Sequence, residues 1–311
     1  MAISRDPGSL ISAVVSGDRR ALARLITLVE EDRPGADAAL RAAFTAARPA
    51  HRVGITGSSG AGKSTLADGI IRLIRTGGER VAVLAVDPTS PISGGAVLGD
   101  RVRMQDHVLD DGVYVRSMAT RGHLGGLSAA APKALVALEA AGYPWVVVET
   151  VGVGQDEVEV TAAADTVVVV VTPGWGDGIQ AAKAGILEIG DVFVVNKADR
   201  SGAADTVADL RAMLGLADHA EWVPPIVETV ASAGEGVAEL WDAVLSHRDH
   251  LGIEGLAVRR RRRRIADLET ALQSALRERA AALAATDGKL VAAVERGEVD
   301  PWTAAARLAG S

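Results

Sequence analysis

Residues 51–76 read HRVGITGSSGAGKSTLADGIIRLIRT. The apolar run 52–56 predicts a strand, and Leu66 to Arg75 predicts a helix. Between them Gly57, Ser58, Ser59, Gly60, Ala61, Gly62, Lys63, Ser64 and Thr65 fit the pattern GxxxxGK[ST] in its required strand–loop–helix context. The glycines let the backbone curl so that successive N–H groups point at a β-phosphate. The helix N-terminus adds its partial positive charge. Lys63 is then expected to bridge the β- and γ-phosphates, and Ser64 to place its hydroxyl on Mg2+. The loop implies a nucleoside triphosphate. Alone, it leaves kinases, ATPases and GTPases open.

Downstream, short and almost continuously apolar runs alternate with helical patterns: 80–86, 145–149, 166–171, 191–195 and 225–230. Strands buried on both faces by helices read this way. The expected fold class is therefore α/β, a P-loop NTPase with a mostly parallel sheet flanked by helices. Residues 9–48 read as helices, with Asp18 placed to cap the second and Pro34-Gly35 breaking it. After about residue 250 the strands stop. Residues 257–283 form one long helical pattern opening with Arg259 to Arg264, and 288–310 a further helix or two, with Pro301 suited to a first turn. The expected plan is a helical segment at 1–48, a P-loop domain at 49–250 and a C-terminal helical arm at 251–311.

Apolar residues make up 48% of the 311 and aromatics only 3%, so Val, Leu, Ile and Ala must fill the core. A net charge of −7 gives no electrostatic case for broad nucleic-acid binding. The chain has no cysteine, which excludes disulfides and thiolate metal sites. Residues 1–10 lack the apolar core of a signal peptide. The most apolar run, 166–171, is far short of the roughly 20 residues a membrane helix needs. A cytoplasmic protein is the expectation, with no membrane association.

The base is read from a second motif. Val192 to Val195 predicts a strand ending in Asn196-Lys197-Ala198-Asp199, about 130 positions after Lys63. A carboxylate at a strand's carboxyl end can accept hydrogen bonds from guanine N1–H and the 2-amino group. Adenine offers neither donor, so ATP would leave the Asp199 charge unpaired at a cost of about 1–3 kcal/mol or more. Lys197 would lie along the base, and Asn196 would tie the loop to the phosphate loop. Val230, Ala231 and Ser232, after the next strand, read as a loop whose backbone N–H meets guanine O6. GTP and GDP are the expected nucleotides.

The strand 143–148 ends at Glu149-Thr150-Val151-Gly152, where many GTPases have Asp-x-x-Gly. Glu149 takes the place of the acid that holds Mg2+, and the Gly152 N–H that of the γ-phosphate contact. Val153 stands where Ras-like proteins carry the glutamine that orients the attacking water. Gln155 is two positions on. Asp87, at a second acidic strand end, and Asp100 are candidates for Mg2+ or water positioning. The glycine-rich stretch 173–180, with Trp175 and Asp177, suits a moving loop.

Several blocks together resemble the MeaB/ArgK family, GTPase chaperones of coenzyme B12-dependent acyl-CoA mutases to which the human methylmalonic aciduria type A protein is related. They are SGDRRALARLITLVE (16–30), GITGSSGAGKSTLAD (54–68), VAVLAVDPTSPISGGAVLGDRVRM (81–104), VVVETVGVGQDEVEV (146–160), PGWGDGIQAAKAGILEIGDVFVVNKAD (173–199) and ERGEVDPWTAAARLA (295–309). The resemblance implies a homodimer through the C-terminal arm and switch segments near 87–104, 149–158 and 174–184. It also implies coupling of GTP hydrolysis to delivery or protection of adenosylcobalamin in a mutase such as methylmalonyl-CoA mutase. Catalytic candidates are then Lys63, Asp100, Gln155, Asp177 and Lys183. Many relatives read QxxKKG in the third switch, whereas this chain has Gln180-Ala181-Ala182-Lys183-Ala184-Gly185, so only the first lysine carries over.

Two enzyme alternatives stand beside this reading. A P-loop small-molecule kinase explains 57–65 but gives NKAD and ETVGVG no work. A nickel-insertion GTPase relies on Cys and His clusters, and here the six His form no convincing ligand group. A nucleic-acid module built on Arg259 to Arg264 is a third possibility. On a helix these arginines point all round, which favours a solvated or dimer-contacting helix.

Overall fold

The computed structural model describes residues 7–87, 104–107, 109–119, 130–150, 162–174, 188–215 and 221–310. They form two compact units, Met1–Arg262 and Arg263–Ser311. The first is built on a seven-stranded sheet: β1 (His51–Gly57), β2 (Val81–Asp87), β3 (Val113–Ala119), β4 (Trp145–Thr150), β5 (Thr166–Val171), β6 (Val192–Asn196) and β7 (Ile226–Thr229). The strand order is β3-β2-β4-β1-β5-β6-β7, and every pairing is parallel. All seven carboxyl ends therefore lie along one edge. β1 sits at the centre, where the chain's path reverses, and open α/β sheets bind ligands at that point.

Helices cover both faces. On one, α1 (Pro7–Val15), α2 (Arg19–Glu30) and α3 (Ala36–Ala46) share a core with α5 (Ala131–Ala140) over β2 and β4. Leu22, Leu25, Ile26 and Val29 form the buried stripe of α2, whose amides at Arg20 and Ala21 are capped by Asp18 as the sequence predicts. On the other face α4 (Lys63–Thr76) buries Leu66, Ile70, Ile71 and Ile74 against β1, β4, β5 and β6. α6 (Ala203–Leu214) closes a smaller cluster around Phe193.

The expected strands appear with ends displaced by a residue or two. β3 and α5 were not expected. β3 is an edge strand whose Val115, Arg116 and Ser117 are only half-buried, so it lacks the continuous apolar run that marks the inner strands. The C-terminal pattern lies in α7 (Val237–Thr286), which is two helices meeting at a kink at Gly252 (φ 55°, ψ −162°), the second of them covering the expected 257–283. In the second unit α8 (Gly288–Glu295) and α9 (Pro301–Ala309) follow, capped by Asp287 and Asp300, with Pro301 at the first turn as expected. No helix among the described residues is long and apolar enough to cross a membrane.

Candidate functional site

The phosphate loop leaves β1 at Gly57 and enters α4 at Lys63. Gly57 has φ 132°, and a Cβ there would stand 2.0 Å from the carbonyl oxygen of Val170 on β5. Only glycine lets the loop turn off the sheet so close to its neighbour. Lys63 is buried and folds back over the loop, its Nζ donating to the carbonyls of Gly57 at 2.7 Å and Ser58 at 2.9 Å. The cation is thus held inside the ring of loop amides, where phosphate oxygens would be received.

The two distant motifs meet at this loop. Asn196, at the end of β6, donates from Nδ2 to the carbonyl of Ala61 at 2.7 Å. Its Oδ1 accepts from Thr229 Oγ1 at 2.9 Å and from the Ala231 amide at 3.1 Å. One buried amide side chain therefore joins the phosphate loop, β6 and the loop after β7. The passage is narrow: a Cβ on Gly62 would lie 2.2 Å from Asn196 Nδ2. Lys197 has φ 61°, a left-handed conformation uncommon outside glycine, and its Nζ donates to the Gly60 carbonyl at 2.7 Å. Its alkyl stem then lies between the base-reading strand and the phosphate loop. Asp199, two residues on, is exposed at the same edge.

Thr229 was not singled out from the sequence, although it supplies one of the donors that orient Asn196. Its only sequence signal is its place at the end of the strand before Val230. The Val230 and Ala231 amides are already engaged, by Glu235 O and Asn196 Oδ1, in the turn Val230–Glu235.

On the other side of β1, Ser64 Oγ donates to Glu149 Oε1 at 2.5 Å, and both side chains are buried. A hydroxyl and a carboxylate at the start of the phosphate-loop helix are hard oxygen donors of the kind Mg2+ prefers, so these residues fit the ion. Asp87 ends β2 at the same edge of the sheet. Asp100, Gly152, Val153, Gln155, Asp177, Gln180 and Lys183 lie outside the described residues. Among the described residues no group of three or more His, Asp or Glu side chains is placed to hold a metal ion.

A strand–loop–helix turn tied by Asn196 to the end of β6 is the arrangement expected of a GTP site. The family model described as methylmalonyl-CoA mutase-associated GTPase MeaB matches residues 22–285. The chain belongs to this family. It is a P-loop GTPase. A relative from Pyrococcus horikoshii is 47% identical over 301 residues, 95% of each chain. The GTPase ArgK of Escherichia coli is 38% identical over 249 residues, 77% of this chain and 75% of that one. The mouse mitochondrial methylmalonic aciduria type A homolog is 35% identical over 273 residues, 81% of this chain and 65% of that one. Among solved structures, one described as a LAO/AO transport system kinase superposes with a TM-score of 0.72 at 26% identity, covering 98% of this chain and 96% of that one.

Within the run Arg259 to Arg264, read from the sequence as a solvated or dimer-contacting helix, the first two arginines contact the sheet. Arg259 donates from Nη1 and Nη2 to the two carboxylate oxygens of Asp191, at 2.8 and 2.7 Å, and from Nη1 to the Asp165 carbonyl at 2.9 Å. Arg260 Nη2 donates to the Ala50 carbonyl at 3.3 Å. The sequence shows the charge, but not that two of the six reach the starts of strands.

Proposed function

We infer that this GTPase gates the loading and protection of adenosylcobalamin in a B12-dependent acyl-CoA mutase such as methylmalonyl-CoA mutase. It would do so in the cytoplasm and as a homodimer. The observation that carries the reading is the family match over 22–285, together with the tied phosphate and base loops. Lys63 would neutralise the β- and γ-phosphate oxygens, while Ser64 and Glu149 would hold Mg2+, with Asp87 and Asp100 as further oxygen donors. When bound, the ion screens the charge that develops between the phosphates. Asp199 would select guanine.

The dimer reading is supported by the second unit taken by itself. Ile265, Leu268, Leu272 and Leu276 recur every three or four residues of α7 and are 52–61% exposed. Such an apolar stripe on a helix fits a helical partner, here a second copy.

Val153 stands in the place of the water-orienting glutamine, so isolated hydrolysis is slow in this reading. An activating group supplied in trans is worth about 10³–10⁵ in rate. Asp177, Gln180 and Lys183 are the groups proposed to be ordered by the mutase. Single-turnover GTP hydrolysis, with and without the mutase, tests this. Marked stimulation that Asp177→Ala and Lys183→Ala remove is the expected result. Fast basal hydrolysis insensitive to the mutase would show that Gln155 or Asp100 completes the site in cis. A small-molecule kinase remains the second reading, favoured by the structure solved as a transport system kinase. Phosphate appearing on an acceptor rather than as free phosphate would establish it.

A further inference from the structure

The amino-terminal ends of the strands carry a polar network that nucleotide binding does not use. Its centre is Asp191, buried at the start of β6. Its carboxylate accepts from Arg259, from the Val167 amide of β5 at 2.8 Å, and faces His247 Nε2 at 3.3 Å. Its carbonyl accepts from Trp222 Nε1 at 2.8 Å. The Trp222 ring lies 5.0 Å from the rings of both His247 and His250. His247 Nδ1 is 2.9 Å from Thr166 Oγ1, which is 2.9 Å from His51 Nε2.

The proton order follows from Asp191. A carboxylate only accepts, so His247 Nε2 carries a hydrogen and Nδ1 a lone pair. Thr166 then donates to His247 and accepts from His51 Nε2–H. His51 Nδ1 is left as a lone pair, buried and without a partner among the described residues. The chain has one direction and two neutral rings.

The strands gripped by this network are β1, β5 and β6. Arg260 reaches Ala50, immediately before β1, and His51 opens it. Arg259 reaches Asp165, immediately before β5, and Thr166 opens it. Asp191 immediately precedes β6. The same three strands end, respectively, in Gly57 of the phosphate loop, in Val171 before Pro173-Gly174, and in Asn196 of the base-reading motif. Each is five to seven residues long, or about 17–23 Å at the usual rise per residue. β1 is bonded to β5, and β5 to β6, in continuous ladders of buried residues. Close-packed interiors of this kind are poorly compressible and transmit strain. A half-buried arginine–carboxylate fork gives little stability by itself, since its solvation cost offsets part of its attraction. Its fixed geometry suits it to hold a register.

We propose that the Arg259–Asp191 clamp couples the setting of the Arg259 stretch of α7, within the first unit, to the nucleotide-binding ends of β1, β5 and β6, so that nucleotide state and helix setting bias each other. The coupling is reciprocal, because a ligand that shifts one shifts the other by the same free energy. It requires only that the chain bind GTP and GDP, and it stands whether or not the partner is a mutase.

Trp222 is a built-in reporter, since its indole N–H is bonded to Asp191 itself. The test compares tryptophan emission of the full chain with GDP and with a non-hydrolysable GTP analogue. A difference that vanishes in Trp222→Phe is assigned to the clamp. In Arg259→Gln the difference is lost, and the ratio of GTP to GDP affinity shifts by about fivefold or more, the lower end of typical couplings. Arg259→Lys keeps the charge without the fork and gives the same loss if Arg259→Gln does not fold. Emission that is identical in the two nucleotide states of the wild type would overturn the proposal. So would a clamp variant that lowers the melting temperature while leaving both the emission difference and the affinity ratio intact.

Discussion

Asn196 Nδ2 and the carbonyl of Ala61 are 2.7 Å apart although 135 positions separate the two residues. The bond joins the strand end proposed to read the base to the loop proposed to hold the phosphates.

Asn196→Ala strips partners from three groups at once: the Ala61 carbonyl, Thr229 Oγ1 and the Ala231 amide. Leaving buried polar groups unpaired costs about 1–3 kcal/mol each. Urea unfolding should show a loss of that order, and GDP release should accelerate. An unchanged urea midpoint with unchanged GDP release would mean that the tie has no energetic role.

Asp199 is exposed, so its substitution should leave stability untouched and act on base choice. Asp199→Ala is expected to weaken GTP by about 1–3 kcal/mol or more, from lost hydrogen bonds to a charged group. Asp199→Asn should relax the preference towards xanthine nucleotides. Competition binding measures both, and equal binding of ATP and GTP by the wild type would refute guanine selection.

Ser64 and Glu149 share a hydrogen bond at the proposed Mg2+ position. Chelating divalent ions should weaken GTP binding in the wild type and have little further effect in Ser64→Ala. Glu149→Gln should raise the Mg2+ concentration needed for hydrolysis. Isothermal titration with and without EDTA checks the first point, and a Mg2+ titration of phosphate release the second. A Mg2+ requirement unaltered in both variants would place the ion elsewhere.

His51 and His247 set a pH dependence of stability. Burial lowers each from 6.5 to about 4. Asp165 opposes the shift at His51, where Arg248, His247 and Arg260 add to it. Asp191 and Asp165 oppose it at His247, where Arg259 and His250 add to it. Both rings are neutral in the fold, while the unfolded chain takes up protons below about 6.5. Stability is therefore complete above about pH 6.5 and declines as pH falls towards about 4, by on the order of 3 kcal/mol per ring at most. Urea midpoints at pH 7, 6 and 5 should fall in that order, and His247→Gln should flatten the slope. A midpoint constant from pH 7 to 5 would contradict neutral burial.

Much of the fold was legible because the inner strands are buried on both faces. Val167 to Val171 and Val192 to Val195 must be apolar throughout, so they stand out without any alignment. β3 was not legible for the complementary reason. At the sheet edge, half-buried Arg116 and Ser117 break the apolar run, and Arg116 instead reaches Glu30 and Thr27 of α2. The ends of α2 and α9 were readable from Asp18 and Pro301, whose effect is confined to one helical turn.

The site divides in the same way. The sequence by itself located the phosphate loop and Asn196 to Asp199, because backbone curl, a helix terminus and a strand end are local. The tie from Asn196 to the phosphate loop was expected from the motif; the tertiary structure decided its atoms, Nδ2 on the Ala61 carbonyl beside Gly62, and that Thr229 holds the amide there. It also decided that Arg259, read as one charge among six, grips Asp191 across 68 positions. Periodicity reports which face of an element is buried. It carries no information on which polar groups from distant elements converge. That depends on the strand order β4-β1-β5-β6, which brings residues far apart in the chain to neighbouring ends of one sheet.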